Sequence, residues 1–67
     1  MDIKQTSLDV LFDSRSAAEH FRLAYYISGI NGEFAAIYFK DAMKEFRQVA
    51  AILGFDLVPI AADVKSE

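Results

Sequence analysis

The stretch "ISGINGEFAAIYFK", residues 27–40, admits two incompatible readings, and the choice between them decides the fold. Asn31-Gly32 between runs of Ile, Tyr and Phe is a strong local signal for a two-residue β-hairpin, because both residues tolerate positive φ. The same letters also suit a corner between two helices. Periodicity separates the two. A half-buried strand alternates polar and apolar residues, yet "EFAAIYFK" gives two faces that are both mostly apolar. Continued through "DAMKEFRQVAAILG", the run places Ala35, Phe39, Ala42, Phe46, Val49 and Leu53 at spacings of 4, 3, 4, 3 and 4. That is a helical stripe sustained for about five turns. Met43 and Ala50 widen it, while Lys40, Asp41, Lys44, Glu45, Arg47 and Gln48 fall on the opposite arc. The pattern predicts a helix over 33–53, with Asn31 or Gly32 as its N-cap, Glu33 near the positive end of its dipole and Gly54 in the left-handed position that ends it.

Working outward toward the N-terminus, "SRSAAEHFRLAYYISG" opens with Ser16-Ala17-Ala18-Glu19, the S-x-x-E spacing of a capping box. This predicts a helix over 16–28, terminated by Gly29, with Ala17, Phe21, Ala24 and Tyr25 on one face and Glu19, Arg22 and Tyr26 pointing away. Thr6 or Ser7 is the expected cap of a short helix over 6–13, carrying Leu8, Leu11 and Phe12 and broken near Asp13-Ser14. Beyond Gly54, residues 55–60 permit a short extended segment that Pro59 restricts to an edge or an irregular end. Residues 63–67 are polar and expected to fray. The fold class expected is all-α, three helices and an extended tail in a single domain over 1–67, with no linker, repeat or low-complexity tract.

A chain of 67 residues that is 54% hydrophobic has little interior in which to place its apolar side chains. Self-association follows as an expectation from composition. There is no cysteine, so neither a disulfide framework nor a thiolate metal site is available, which fits a reducing compartment. The start, "MDIKQTSLDV", lacks the pattern of a secretory signal, and no run approaches the roughly 18 consecutive apolar residues of a membrane span. The expectation is a soluble, cytoplasmic protein without a membrane partner. Seven Lys and Arg against ten Asp and Glu leave a net charge of −3, which disfavours nonspecific attraction to phosphate backbones.

The residues of catalysis are sparse. His20 is the single histidine, and a Ser-His-Asp set assembled from Ser14 or Ser28, His20 and an acid would lack a nucleophile elbow. His20 reads as an ordinary side chain at a helix boundary. Asp9 with Asp13, and Asp41 with Glu45, share helix faces at i,i+4 spacing, but without histidine or a glycine-rich calcium loop beside them they read as solvated faces. Gly29, Gly32 and Gly54 form no phosphate-cradling motif. The expectation is therefore no enzyme, no cofactor, no metal and no catalytic residue.

"VAAILGFDLVPI", residues 49–60, resembles the last helix and following strand of helix-turn-helix antitoxins and small phage-type repressors, whose domains close with an alanine-rich helix, Leu-Gly and a short extended tail. In that family the DNA-reading helix pair lies upstream. Here the upstream helix opens with "EFAAIYFK", too apolar to contact base edges. A second placement matches Gln48, Ala50 and Gly54 to the family's Q-x-A-x-x-x-G spacing, and then Pro59 interrupts the reading helix, with only Lys65 basic. Neither placement carries DNA contacts over to named residues.

The remaining signal is misplaced hydrophobicity. Phe34 and Ile37 fall outside the main stripe, on the arc otherwise held by Lys and Asp, with Tyr38 on the border. Exposed, these three make a partner-binding patch. The alternative is that Leu8, Leu11 and Phe12, or Phe55 and Leu57, fold over them. The function expected is a non-enzymatic protein-interaction module, a homodimer closed by two-fold symmetry, acting as a small regulator or inhibitor. The other reading is a DNA-binding repressor or antitoxin in which Lys40, Lys44 and Arg47 of two long helices join into one basic stripe that Asp41 and Glu45 dilute.

Overall fold

The computed structural model describes residues 2–60. Two helices form an antiparallel hairpin: α1 spans Ile3–Ile27 and α2 spans Gly32–Ile52. Among the described residues the regular structure is all-helical, with no strand, as the periodicity predicts. Residues 55–60 carry neither helix nor strand, and the expected frayed end at 63–67 lies outside the described residues.

The second helix starts and stops where its residues require. The Asn31 side chain accepts hydrogen bonds from the backbone N–H groups of Glu33 and Phe34 at 3.0 and 3.1 Å, satisfying two donors that have no intrahelical partner. At the other end Gly54 takes φ +90, and the N–H groups of Gly54 and Phe55 donate back to the carbonyls of Ala51 and Ala50 at 3.0 and 2.8 Å. This is the Schellman arrangement, and it needs a residue that tolerates the left-handed region. The corner between the helices is a tight turn in which Ile30 and Asn31 both donate to the carbonyl of Ile27 at 2.8 Å.

The first half of the chain departs from the three-helix expectation. Residues 3–27 are one helix, capped not by Thr6 or Ser7 but by Asp2, whose carboxylate accepts from Lys4 and Gln5 at 3.1 and 3.3 Å. Nothing breaks it at Asp13-Ser14. Those residues cost a helix only a few tenths of a kcal/mol each relative to alanine, and there is no glycine or proline between Ile3 and Ile27 to stop it. Ser16 is likewise not a cap: it sits mid-helix and bonds across to α2, while Glu19 turns to Arg22. The S-x-x-E spacing is present without its capping function.

What holds the hairpin together is a seam of small residues. The buried side chains are Ala17 and Ala24 on α1 and Ala35, Ala42, Val49 and Ala50 on α2, five alanines among six. Half-buried Val10 with Ala17 and Ala24, and Ala35 with Ala42 and Val49, repeat every seven residues and mirror each other about the corner, Ala24 and Ala35 nearest it, then Ala17 and Ala42, then Val10 and Val49, with Ala50 beside the last. A seven-residue apolar repeat keeps one seam facing its partner along both helices, and alanine there lets the axes approach closely. The larger members of the expected core stripe do not enter this seam. Phe39 and Phe46 are each 50% exposed and Leu53 is 47% exposed. Among the described residues no large side chain is fully buried. The thinnest dimension of the molecule is 14 Å, close to the ~10–12 Å diameter of one helix with its side chains, so the hairpin is a single layer.

Candidate functional site

A one-layer hairpin has two broad sides, and interhelical contacts fix which residues lie on each. On one side Phe21 of α1 meets Phe39 of α2 edge to face, ring centroids 5.6 Å apart. On the other, His20 stacks on Tyr38 at 6.0 Å with 22° between planes. Projection of both helices at about 100° per residue places the remaining side chains relative to these anchors.

The Tyr38 side carries a polar bridge. One carboxylate oxygen of Glu45 accepts from the Ser16 hydroxyl at 2.9 Å, and the other meets His20 Nδ1 at 2.8 Å. Ser16 and His20 stand one turn apart on α1, so a single glutamate on α2 grips both. The expectation that Glu45 points to solvent on the back of α2 is corrected: its side chain is 22% exposed and that of His20 is 27% exposed. His20 is correspondingly a mid-helix residue with an interhelical partner, not a helix-boundary side chain. The hydrogen bond that His20 donates to the Glu45 carboxylate raises the pKa of His20 above its ordinary value against partial desolvation, with the charges of Glu45, Asp41 and Glu19 adding to it. The bond to His20 holds the Glu45 carboxyl below its ordinary range against the same opposing effect, helped by Ser16.

A serine, a histidine and an acid in contact invite a catalytic reading, and the bonding pattern opposes it. Both Ser16 and His20 address the carboxylate, so the serine proton is directed to Glu45 rather than to an imidazole that could remove it. The cluster acts as a clamp between the helices. No group of three or more His, Cys, Asp or Glu able to hold a metal is found among the described residues. No helix among them is long and apolar enough to cross a membrane.

The Phe39 side is an open apolar surface. Near the corner it forms a shallow cleft of about 500 Å³, lined by Phe21, Tyr25, Ala36 and Phe39 with Lys40 at its margin. Met43 and Phe46 continue it toward the far end, 37% and 50% exposed.

Charge is divided between the sides. Lys4, Arg15 and Arg22 on α1 and Lys40 and Arg47 on α2 project along the margins of the Phe39 side, all of them exposed. Asp9, Asp13, Asp41 and Glu45 project on the Tyr38 side. Glu33 beside the corner and Lys44 on the outer edge of α2 are the exceptions, and Glu19 lies on the outer edge of α1, paired with Arg22. The guanidinium of Arg22 also lies 5.6 Å from the Tyr26 ring centroid, which accounts for that outward-facing aromatic.

The residues singled out from sequence are therefore distributed rather than gathered. Phe34 and Ile37 are 56% and 54% exposed, and the segments expected to cover them are themselves exposed at Leu8, Leu11, Phe12 and Phe55. Tyr38 is half-buried against His20 and lies on the opposite side of the hairpin from Phe39 and Phe46. Lys40, Lys44 and Arg47 share one exposed arc of α2. The Ser16–Glu45–His20 bridge was not anticipated. Its signal in the sequence is weak: polar residues one turn apart beside the Ala17–Ala24 repeat, with a glutamate beside the Ala42–Val49 repeat beyond the corner. Comparison of the chain with protein-family models, with curated proteins and with solved structures found no match.

Proposed function

We propose that this chain is a non-enzymatic protein-interaction module, a half-bundle that completes its core by associating with further copies of itself and acts as a small regulator or inhibitor through protein contact. The smallest such assembly is a homodimer. The observation that carries this reading is the contrast between a buried seam of six small residues and the half-exposed Phe39, Met43 and Phe46 on one side of it. Fully burying a side chain of that size is worth about 1.5–3 kcal/mol, and a second helical layer would supply the burial. Aromatic anchors also dominate the energetics of protein interfaces. Sedimentation equilibrium of the wild type beside Phe39→Asp tests it. The wild type should associate at tens of micromolar, and the variant, with a charge placed in the apolar contact, should remain monomeric with unchanged helix content.

A DNA-binding repressor or antitoxin is the second reading, favoured by the shared exposed arc of Lys40, Lys44 and Arg47. A mobility-shift titration against salt separates the two. Binding that falls steeply with salt supports the second reading, and no binding at micromolar protein removes it.

A further inference from the structure

We infer that copies of this chain join by unlike sides, the Phe39 side of one packing on the Tyr38 side of the next. The inference rests on the self-association proposed above and names the surfaces that perform it. Both sides have apolar residues to bury: Phe39 and Phe46 on one, Phe34 and the neighbouring Ile37 on the other, all at 50–56% exposure. Charge then selects the pairing. Arg15, Lys40 and Arg47 flank the first side and are exposed, while Asp9, Asp13 and Asp41 stand on the second, exposed except for half-buried Asp13. Two Phe39 sides face to face would set basic margin against basic margin, and two Tyr38 sides would oppose acids to acids. Like charges held together at a contact are costly, so both like-on-like pairings are opposed. Only the unlike pairing sets Arg15, Lys40 and Arg47 of one copy against Asp9, Asp13 and Asp41 of the next, with Lys44 and Glu33 at the outer edges outside this match.

The thickness of the molecule points the same way. A layer 14 Å thick exposes both sides at once, so a closed two-fold pair covers one side of each copy and leaves the other bare. An unlike contact is heterologous, and repeated it gives a ring or an open stack in which each inner copy is covered on both sides. The closed two-fold dimer expected from composition is the form this arrangement replaces.

Two triple variants of the full chain test the pairing. Arg15→Glu with Lys40→Glu and Arg47→Glu makes both sides acidic; Asp9→Lys with Asp13→Lys and Asp41→Lys makes both basic. Sedimentation velocity at low salt should show each variant weakened about tenfold or more relative to wild type, and an equimolar mixture should regain the wild-type mass, because opposite sides then alternate again. If the Asp-to-Lys variant alone keeps the wild-type mass, Phe39 sides pair with each other and the inference is overturned. Should either variant lose its helical circular-dichroism spectrum, the wild type still decides: association that weakens with added salt supports unlike pairing, and association that strengthens or stays level overturns it. A wild type that is monomeric at every concentration removes the self-association reading beneath the inference. A monomer that instead binds phosphatidylserine vesicles assigns the basic-margined side to a membrane surface and overturns the inference as well.

Discussion

The two sides of the hairpin share one alanine seam and finish it differently. On the Tyr38 side the space beside the seam is closed within the chain, by a glutamate that reaches across to Ser16 and His20 and by the imidazole stacked on Tyr38. On the Phe39 side the flanking residues are larger and apolar, and although Phe21 meets Phe39 edge to face, Phe39, Met43 and Phe46 remain open to solvent. The difference teaches where orientation and where missing stability reside. Polar bonds between two helices fix their register but contribute modestly to stability, roughly 1 kcal/mol each. Large apolar side chains could contribute more, and a single layer cannot bury them. The polar bridge on the Tyr38 side therefore sets the shape of the hairpin, and the exposed Phe39 and Phe46 on one side and Phe34 and Ile37 on the other are where further layers would add stability.

The largest effect should come from the seam that both sides depend on. Ala42 is 0% exposed, so Ala42→Leu should overpack the seam between the helices and cost up to about 3 kcal/mol in chemical denaturation. A loss within error would mean that the helices are not held at this seam, and the comparison of its two sides would lose its basis.

Next comes the polar side. Glu45→Gln keeps the shape of the side chain and removes the charge that both partners address, and should cost about 1 kcal/mol. Lys44→Ala, one residue away on the exposed arc, should stay within about 0.5 kcal/mol. Equal losses at the two positions would contradict the interhelical bridge.

The pH dependence sharpens the same point. His20 is raised in the fold, so its contribution is complete below its ordinary value of about 6.5 and is lost as pH rises through the folded value. Glu45 is lowered, so its contribution is present above the ordinary carboxylate range and is lost as pH falls through its folded value. Stability should therefore peak in the mildly acidic window between them. His20→Gln should flatten the alkaline limb of the profile, read by thermal melts across pH, and an unchanged limb would assign it to other groups.

Much of the fold was legible in the letters, and the failures have physical causes. The second helix could be read nearly to the residue because the five-turn stripe overrides the hairpin signal of Asn31-Gly32, leaving Asn31 or Gly32 as the cap and Gly54 at the stop, and the structure selects Asn31. The first helix was misdivided because Asp, Ser and Thr favour caps and turns locally, yet their cost inside a helix is small enough for the seam to override. The 4-3 stripe showed which face of α2 is apolar but not how deep each residue lies. With two helices and no third, only its small members fit between the axes, and Phe39 and Phe46 are displaced to the flank. The Ser16–Glu45–His20 bridge could not be read because it joins residues 25 and 29 apart in sequence, across a corner whose register only the folded hairpin fixes.

The central claim is that the unburied aromatic side belongs to a larger assembly. Sedimentation equilibrium of the unmodified chain at tens of micromolar, with circular dichroism on the same sample, tests it most directly. A helical protein is expected whose mass is at least twice that of the single chain and falls on dilution. A single-chain mass at that concentration, with full helix content and a melting temperature independent of concentration, would contradict it.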